Sequence, residues 1–367
     1  MKSNYKKLGG YIRQVDKRNV EGKEENLLGV SVQKKFIPSI ANTNGTDFTK
    51  YKVVKKGQFT YIPDTSRRGD KIGIALLKEY DEGLVSNVYT VFEIVDDKQL
   101  VPDYLMLWFS RPEFDRFARF KSHGSVREVM DWDELCNVEL PVPSYEEQLE
   151  IVNAYQAITD RICLKQKIND NLAATSKAIY KHLFVENIDI ASLPSGWTMK
   201  LLGSVADLSA GGDRPAIYSD SFTDVCSIPI FSNGIDNEGL YGFTNIAKIF
   251  DESVTVSARG TVGYVFLREE PYVPIVRLIS VIPNKDYVTA KYLYFALSAI
   301  DLHSTGTSQQ QITVPDFKKR LILIPDKLTI RTFMENVEPL FSMIKENKVE
   351  IKSLIALQES YLALLSR

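Results

Sequence analysis

The stretch TGTSQQQITVPDFKKRLILIP, residues 305–325, resembles an earlier stretch of the same chain, HGSVREVMDWDELCNVELPVP, residues 123–143. Gly306 follows Gly124 by 182 positions, and Phe317 follows Leu135 by the same 182. A constant offset through a whole segment is what an internal duplication leaves behind. Chance similarity between two strand-like stretches is the alternative, and the rest of the chain decides between them.

Two long helices are predicted directly after these stretches, at the same offset. Ser144 and Glu147 have the pattern of a capping box, and Asp326, which lies 182 positions after Ser144, is an N-cap residue. Heptad-spaced apolar residues continue in both copies, which predicts helices over residues 146–185 and 328–366. The apolar seams are Tyr155, Ile158, Ile162, Leu172, Ile179 and Leu183 in the first copy, and Val337, Leu340, Ile344, Ile351, Leu354, Tyr361 and Leu365 in the second.

The length of the predicted helices indicates that they pack on each other. Each covers about 40 residues, hence about 60 Å at 1.5 Å per residue, whereas helices of globular domains seldom exceed about 20 residues. A seam with a 3.5-residue period needs a partner helix, and polar residues within it fix the register. Such interruptions coincide here, Lys165 with Asn347 and Ser176 with Gln358. Two separate amphipathic helices, each lying on its own domain, are the alternative.

The duplication continues upstream with changing offsets, as loops of different length require. Residues 104–105 resemble 292–293 at offset 188, residues 72–77 resemble 262–267 at offset 190, and residues 8–9 resemble 202–203 at offset 194. Short β-branched and aromatic runs are broken by Gly, Pro and Asn, and helical pieces interleave with them, which predicts α+β (mixed α/β) domains. The predicted organisation is a globular domain at 1–143, a long helix at 144–187, a second globular domain at 188–325 and a second long helix at 326–367.

The composition is that of an ordinary globular chain of about two domains. Its net charge of −2 is not that of a typical nucleic-acid binder. Three cysteines without CxxC spacing favour a reduced, cytoplasmic chain over a disulfide framework. The first residues, MKSNYKKLGG, lack the apolar core of a signal peptide, and no run approaches the ~18 apolar residues of a spanning helix.

Basic residues are concentrated between residues 50 and 71, and such a cluster can follow phosphates even in a near-neutral chain. An ordinary solvated loop is the alternative. The basic residues are Lys50, Lys52, Lys55, Lys56, Arg67, Arg68 and Lys71, against Asp64 and Asp70.

The motifs of common catalytic sites are absent from the sequence. His123, His182 and His303 have no spacing that would gather a metal ion. No GxSxG, GxxxxGK[ST] or HExxH pattern occurs, nor an NPPY-like segment of an adenine methyltransferase. We therefore expect neither a catalytic nor a metal site in this chain.

The duplicated loops carry side chains that are suited to reading bases. One copy has Ser308 with Gln309, Gln310 and Gln311, and the other has Ser125, Arg127 and Glu128. Gln can pair bidentately with adenine, and Arg with guanine, in the major groove of DNA. Two domains that read different DNA sequences would carry different side chains at equivalent positions of the duplicated loop, as these two copies do. An ordinary polar loop remains the alternative.

The chain resembles the specificity (S) subunit of a type I restriction-modification system over nearly its whole length. The resemblance rests on LPSGW at 193–197, SARGTVG at 257–263, SQQQ at 308–311 followed by Ile324-Pro325, and PSYEEQ at 143–148. Departures are Thr329-Ile330, where the first copy has Glu147-Gln148, and RRGDKIG at 67–73, where the second copy has SARGTVG. They put in doubt the equivalence of individual contacts.

The resemblance implies two target-recognition domains, each reading one half of a bipartite site in double-stranded DNA. It also implies that the two long helices lie antiparallel and set the gap between the half-sites. The subunit itself would be non-catalytic and would bind no cofactor. Two modification subunits would dock on the helices and methylate adenine with S-adenosylmethionine, and motor-nuclease restriction subunits, when added, would cleave unmodified DNA.

The expected DNA-binding residues follow from the basic cluster, the duplicated loops and the motif at 257–263. They are Arg67, Arg68, Lys71, Ser125, Arg127, Arg259, Thr261, Ser308, Gln309, Gln310 and Gln311. The other functions that fit the sequence are a recognition subunit of a modification-only or phage-defence system, an enzyme with an unrecognised site, and a coiled-coil scaffold without DNA.

Overall fold

The structure is a computed structural model, and it describes residues 5–40, 45–65, 71–122, 128–186, 188–300 and 311–365. The chain divides into two compact units. Unit 1 comprises Met1–Gln166 and Lys348–Arg367, and unit 2 comprises Lys167–Asn347. Each unit thus holds one globular part together with a portion of both long helices, so this division differs from the four segments expected from the sequence, whose boundaries stay predictions. No helix in the described part of the chain is both long and apolar enough to cross a membrane.

Unit 1 combines short strands with short helices. Its strands are β1 (Tyr5–Lys7), β2 (Ile12–Val15), β3 (Leu28–Val30), β4 (Phe36–Pro38), β5 (Lys52–Lys55), β6 (Phe59–Tyr61), β7 (Ile74–Leu76), β8 (Glu82–Val85), β9 (Thr90–Ile94) and β10 (Glu139–Pro141). Its helices are α1 (Pro102–Phe109), α2 (Pro112–Lys121), α3 (Trp132–Cys136) and the first part of α4 (Tyr145–Phe184). The main sheet is antiparallel with the order β2-β9-β6-β7, and β1-β10, β3-β4 and β5-β8 form pairs.

Unit 2 repeats this plan with one difference. Its strands are β11 (Thr198–Leu201), β12 (Ala206–Ala210), β13 (Ile228–Phe231), β14 (Leu240–Thr244), β15 (Ser253–Val256), β16 (Val265–Arg268), β17 (Val273–Pro274), β18 (Ile279–Pro283) and β19 (Leu321–Ile324). Its helices are α5 (Leu202–Val205), α6 (Ala290–Ser298), α7 (Val314–Lys318) and the first part of α8 (Lys327–Leu364). The main sheet, β12-β18-β15-β16, matches that of unit 1, whereas β14-β13-β17 forms an accessory sheet of its own.

The strand registers confirm the duplication residue by residue. Ile12 pairs with Ile94 in unit 1, and Ala206 pairs with Pro283 in unit 2. Ile94 and Pro283 are thus related by an offset of 189 between β9 and β18. The same offset relates Phe92 to Val281, and these two residues pair with Phe59 and Val254, respectively. The two main sheets therefore share strand order and pairing register, which chance similarity of short stretches does not explain.

One of the offsets read from the sequence is wrong by one residue. Ile74 pairs with Tyr61, and Val265 pairs with Val256, the counterpart of Tyr61. Ile74 therefore corresponds to Val265 at offset 191, and not to Tyr264 at offset 190. A slip of one residue exchanges the two faces of a strand, but β7 is buried on both faces, so its sequence carries no alternation that could fix the register.

A matching hydrogen bond ties a short helix to a neighbouring strand in each unit. The hydroxyl of Tyr104 in α1 donates to the carbonyl of Pro141 at 3.0 Å, and the hydroxyl of Tyr292 in α6 donates to the carbonyl of Leu323 at 2.6 Å. Both tyrosine rings are almost fully buried. Since a buried hydroxyl needs a partner, this pair explains why both copies keep tyrosine at this position.

The long helices begin where the sequence predicts them. At the start of α4, Glu147 accepts from the Ser144 amide at 2.9 Å, and the Glu147 amide donates back to the Ser144 hydroxyl at 3.3 Å, which confirms the capping box. Before α8, the Asp326 carboxylate accepts from the amides of Leu328 and Thr329. It also accepts from the indole Nε1 of Trp197 at 2.8 Å, so the motif at 193–197 is anchored on this cap.

Within unit 1 the two helix segments run antiparallel. The rings of Tyr155 and Tyr361 have centroids 6.4 Å apart, and the Gln358 amide donates to the Thr159 hydroxyl at 2.7 Å. Lys165, one of the polar interruptions of the seam, forms an ion pair with Glu350 at 2.7 Å. Residues later in α4 thus contact residues earlier in α8, so the two helix segments run antiparallel.

The helix segments of unit 2 pair in the same sense and enter its core. Asn347 is 7% exposed and donates from Nδ2 to Asn169 Oδ1 at 2.8 Å. Further along, Phe333 of α8 packs with Tyr180 and Phe184 of α4, at centroid distances of 6.2 and 5.3 Å. These aromatic rings belong to the main core cluster of unit 2, together with Tyr292 of α6. The polar seam residues are therefore paired, as a register-fixing role requires.

Candidate nucleic-acid interface

The turns at one end of the main sheet of unit 2 come together because of the strand registers. Ile279, the first residue of β18, pairs with Ala210 at the end of β12 and with Val256 at the end of β15. Val256 also pairs with Val265, the first residue of β16. Residues 211–214, 257–264 and 275–278 consequently lie at this end of the sheet. Gln311 joins them through its bridge with Arg259, and residues 232–239, which follow β13 of the accessory sheet, join them through the hydrogen bonds of Asn233. We call these residues the loop end of unit 2.

The motif at 257–263 forms a closed loop within this loop end. The Ser257 amide donates to the Tyr264 carbonyl at 2.9 Å, and the Gly263 amide donates to the Ser257 carbonyl at 2.8 Å. Gly260 and Gly263 have φ values of +75° and +93°, which only glycine adopts at little cost. The two glycines of the motif therefore permit the tight return that exposes Arg259 at the tip.

The structure brings together three of the expected DNA-binding residues. Arg259 and Gln311 are partners in an antiparallel bridge, and both are exposed. Thr261 lies in the same loop, but its hydroxyl donates to the backbone carbonyl of Asn233 at 2.6 Å and so already has an internal partner. The other three expected residues of this unit, Ser308, Gln309 and Gln310, lie outside the described residues. Their DNA contacts stay predictions.

Unit 1 has the matching bridge. Asp64 pairs with Val129, which correspond to Arg259 and Gln311 at offsets of 195 and 182. The Thr65 amide donates to the Glu128 carbonyl at 2.9 Å beside this bridge. Lys71 is exposed just before β7, at the same end of the sheet. The remaining expected residues, Arg67, Arg68, Ser125 and Arg127, lie outside the described residues, and their roles stay predictions.

A buried ion pair supports the chain next to Lys71. The Lys34 ammonium lies 2.8 Å from a carboxylate oxygen of Asp115, and that oxygen also accepts from the Ile72 amide at 3.2 Å. Burial lowers the pKa of Lys34, Asp115 opposes this shift, and the nearby charge of Lys71 adds to it. The pair thus holds the backbone at Ile72, two residues before β7 and directly after the exposed Lys71.

The basic residues between 50 and 71 do not form one surface. Lys52 is 7% exposed, and its ammonium donates to the Tyr89 carbonyl at 2.8 Å. The Lys56 amide donates to the Asp81 carbonyl, in the turn that precedes β6, whereas Lys71 lies at the opposite end of that strand. Lys52 and Lys56 therefore do not form one surface with Lys71, because a strand separates residues that are close in sequence, and phosphate binding by the exposed basic residues stays a prediction.

Sequence reasoning missed the residues that hold the loop end in shape. Arg268 is 4% exposed, and its guanidinium lies 3.5 Å from the ring centroid of Phe231. It donates to the Glu238 carbonyl at 2.6 Å and to the Thr255 hydroxyl at 2.9 Å. Burial lowers the pKa of Arg268 to about 10, so the side chain stays protonated at neutral pH. No local sequence pattern marks this arginine, since its partners come from three separate segments.

A second basic side chain of the loop end is held in place by aromatic rings. Arg214 follows the Gly211-Gly212 pair, and its guanidinium lies 3.7 Å from the ring centroid of Tyr218. Its hydrogen bond to the Tyr241 hydroxyl is the main cause that raises the pKa of Arg214. Arg214 is exposed, so its charge is available to a ligand such as a phosphate. Among the described residues, no group of His, Cys, Asp and Glu is arranged to hold a metal ion.

Comparisons with known proteins identify relatives of this chain. Residues 194–353 match the family model of the type I restriction modification DNA specificity domain. A putative type I specificity subunit of Mycoplasma pneumoniae is 32% identical over 162 residues, which are 44% of this chain and 48% of the relative. The C-terminal part of another such subunit from the same organism is 31% identical over 120 residues, 33% of this chain and 82% of that protein. The chain thus spans about half the length of the first relative.

A solved structure shows the same fold over the whole chain. The S subunit of a type I restriction-modification system from M. genitalium matches with a TM-score of 0.60. The match covers 99% of this chain and 96% of that one, at 14% sequence identity. At this identity the likeness concerns the fold alone.

Proposed function

The chain belongs to the family of type I restriction-modification DNA specificity subunits, and on this premise we propose that it is a non-catalytic DNA-recognition subunit. In this proposal each unit reads one half of a bipartite site in double-stranded DNA. The observation that carries it is the matched bridge, Arg259 with Gln311 in unit 2 and Asp64 with Val129 in unit 1. The same frame presents unlike side chains, as two readers of different half-sites require.

Three exposed guanidinium groups at the loop end of unit 2 support DNA as the ligand. Arg214, Arg259 and Arg277 are all exposed there, although the whole chain has a net charge of −2. Guanidinium groups bind phosphates and the edge of guanine bidentately. The same loop end carries the exposed acidic residues Asp213, Asp236 and Glu238, so the three arginines support DNA binding as individual guanidinium contacts and not through an excess of positive charge.

The long helices have a separate part in the proposal. Their paired segments fix the gap between the half-sites, and their outer surfaces dock two modification subunits. Leu164 of α4 and Val349 of α8 are 59% and 62% exposed, and they offer apolar contacts to such partners. S-adenosylmethionine is a ligand of the modification subunits and not of this chain, and restriction subunits join the complex when DNA is to be cleaved. The complex acts in the cytoplasm, where its DNA target is found.

Exchange of one unit tests the division of specificity. Replacing residues 190–325 with the corresponding segment of another specificity subunit should change one half-site and leave the other unchanged, because the loop end of unit 1 is untouched. Methylation mapping of the genome of cells that carry the hybrid and its modification subunit reads both half-sites directly. The unaltered chain in the same cells is the control.

Two outcomes would contradict the proposal. If both half-sites change, or neither does, specificity is not divided between the units. Methyl transfer or nicking of DNA by the purified chain alone would show that it is an enzyme, and not a recognition subunit.

A further inference from the structure

The loop end of unit 2 contains a backbone conformation that is unfavourable for the residues that adopt it. Between β17 and β18, Val276 and Arg277 have φ values of 52° and 61°. Left-handed backbone is uncommon for residues other than glycine and is an outlier for a β-branched residue. Such strain persists only where the surrounding structure enforces it, and it is concentrated at functional sites.

Backbone contacts with the Gly211-Gly212 pair enforce this turn. The Val276 amide donates to the Gly212 carbonyl at 2.8 Å, and the Arg277 amide donates to the Gly211 carbonyl at 3.0 Å. A side chain at Gly211 would place its Cβ only 2.7 Å from the Ile275 nitrogen. Gly211 is therefore required for close approach of the two backbones.

Asn233 connects the strained turn to the loop of Arg259. Its Nδ2 donates to the Val276 carbonyl at 2.6 Å, and its Oδ1 accepts from the Ala258 amide at 2.8 Å. The orientation of the side-chain amide is unambiguous, because a carbonyl can only accept and a backbone amide can only donate. One side chain thus joins the residue before Arg277 to the residue before Arg259.

The turn places its side chains outward. Val276 is 51% exposed, and Arg277 is exposed as well. Within the described part of the chain, no ion pair or side-chain hydrogen bond of Arg277 is found. An arginine that stands on a rigid, strained turn without a partner of its own is prepared for a ligand, since little backbone freedom is lost on binding.

We propose that the Val276–Arg277 turn is a second DNA-reading element of unit 2, in which Arg277 contacts the half-site and Asn233 is a positioning residue that fixes Arg277 relative to Arg259. This inference rests on the proposed function of the chain. It adds a contact from the accessory sheet to those expected from the motif at 257–263 and the segment that ends at Gln311.

The first test removes the side chain of Arg277. Arg277→Ala, assembled with the modification subunit, should bind its cognate duplex about fivefold to a hundredfold more weakly, which is the range for loss of one base or phosphate contact. Arg320→Ala is the matched control, because Arg320 is exposed in the same unit and its carbonyl accepts from Leu202, at the opposite end of the sheet. The control should bind within twofold of the wild type.

The second test separates function from folding. Val276→Gly removes the strain of a β-branched residue in the left-handed region and at the same time loosens the turn. The thermal midpoint should not fall, whereas binding should weaken and base discrimination should relax in the half-site of unit 2 only. A variant that folds as well as the wild type but reads DNA less well cannot be explained by a structural role alone.

The third test concerns Asn233. If this residue acts by positioning Arg277, then Asn233→Ala should weaken binding, and adding Arg277→Ala to it should cost much less than in the wild type. Adding Arg320→Ala to Asn233→Ala should leave binding within twofold of that of Asn233→Ala. Full additivity of Asn233→Ala and Arg277→Ala would refute the positioning role.

The outcomes distinguish this inference from the proposed function on which it rests. If the wild-type complex shows no sequence-specific binding or methylation, the proposed function fails. If the wild type is specific but Arg277→Ala and Val276→Gly bind and discriminate as it does, the inference alone is overturned. Equal losses for Arg277→Ala and Arg320→Ala would also overturn it, because the effect would then follow from charge in general.

Discussion

Replacement of Gln148 by alanine should strongly destabilise unit 1, because this buried side chain makes three hydrogen bonds. It lies in the first turn of α4 and is completely buried. Its Oε1 accepts from the Val101 amide at 2.7 Å, and its Nε2 donates to the carbonyls of Gln99 and Pro143, both at 2.9 Å. One side chain thereby joins α4 to the start of α1 and to the end of the duplicated segment.

The size of the effect follows from these three bonds. Gln148→Ala leaves the buried Val101 amide without an acceptor, which costs about 1–3 kcal/mol, and removes two further bonds of about 1 kcal/mol each. The expected loss is therefore about 3–5 kcal/mol. For a unit of this size, 1 kcal/mol corresponds to about 2–4 °C, so the midpoint of unit 1 should fall by roughly 6–20 °C.

Gln156→Ala is the matched control. Gln156 is an exposed glutamine on the same helix, and its amide only reaches Asp160, one turn later, at 2.7 Å. A pair of this kind contributes about 0.2–0.5 kcal/mol. Thermal unfolding measures the loss of stability of each variant, and hydrogen exchange of the α1 amides shows whether that loss lies in unit 1. A free energy of unfolding for Gln148→Ala within 1 kcal/mol of that for Gln156→Ala would refute the reasoning.

Two further predictions concern the long helices. The hydrogen bonds of Asp326, first of all that from the Thr329 hydroxyl, lower the pKa of its carboxyl to about 2. A carboxyl group with a lowered pKa stabilises the fold at pH values above its unfolded pKa of about 4, and this stabilisation is lost as the pH falls towards 2. The wild type should therefore have a higher thermal midpoint than Asp326→Asn at pH 5, and the difference between the two midpoints should decrease as the pH is lowered to 2. The second prediction concerns the length of the helices: inserting four residues after Gln166 and four after Asn347 adds about 6 Å to each helix. Methylation mapping should then show unchanged half-sites and a gap that is longer by about one or two base pairs of 3.4 Å. An active variant with the original gap would contradict this prediction.

The sequence predicted the long-range organisation because that organisation is periodic. The heptad seams predicted helices over 146–185 and 328–366, and the structure has them at Tyr145–Phe184 and Lys327–Leu364. The caps at Ser144 and Asp326 could also be predicted, because only a few residue types at fixed spacings cap a helix start. A constant offset of 182 carried this information across both copies.

The details of the loop end could not be predicted in the same way. Asn233, Arg268 and the Val276–Arg277 turn act through contacts between segments that are far apart in the chain. Nothing in a short window of sequence marks an asparagine that joins two loops, or a valine with positive φ. The Gly211-Gly212 pair was visible, but its close approach to Ile275 depends on a strand pairing that the sequence does not reveal.

The two units also show how a duplicated frame tolerates different chemistry at equivalent positions. The counterpart of Gln148 at offset 182 is Ile330, which is 7% exposed and belongs to the apolar core of unit 2. There, the start of α6 is capped by its own Thr289, whose hydroxyl accepts from the Tyr292 amide at 3.2 Å. A buried glutamine in one copy and an isoleucine in the other thus serve the same junction, because each satisfies its local backbone in its own way.

In the proposed function, the accessory sheet, in contrast, makes unit 2 a different reader from unit 1. Asn233, which donates to Val276, and Glu238, which accepts from Arg268, both follow β13. In place of the sheet β14-β13-β17, the described part of unit 1 has the pairs β3-β4 and β5-β8. The conformation of the loop at 257–263 therefore depends on residues outside that loop. Specificity should move between family members with a whole unit, since the frame is shared, but not with a single loop, since the loop would leave behind the side chains that give it its shape.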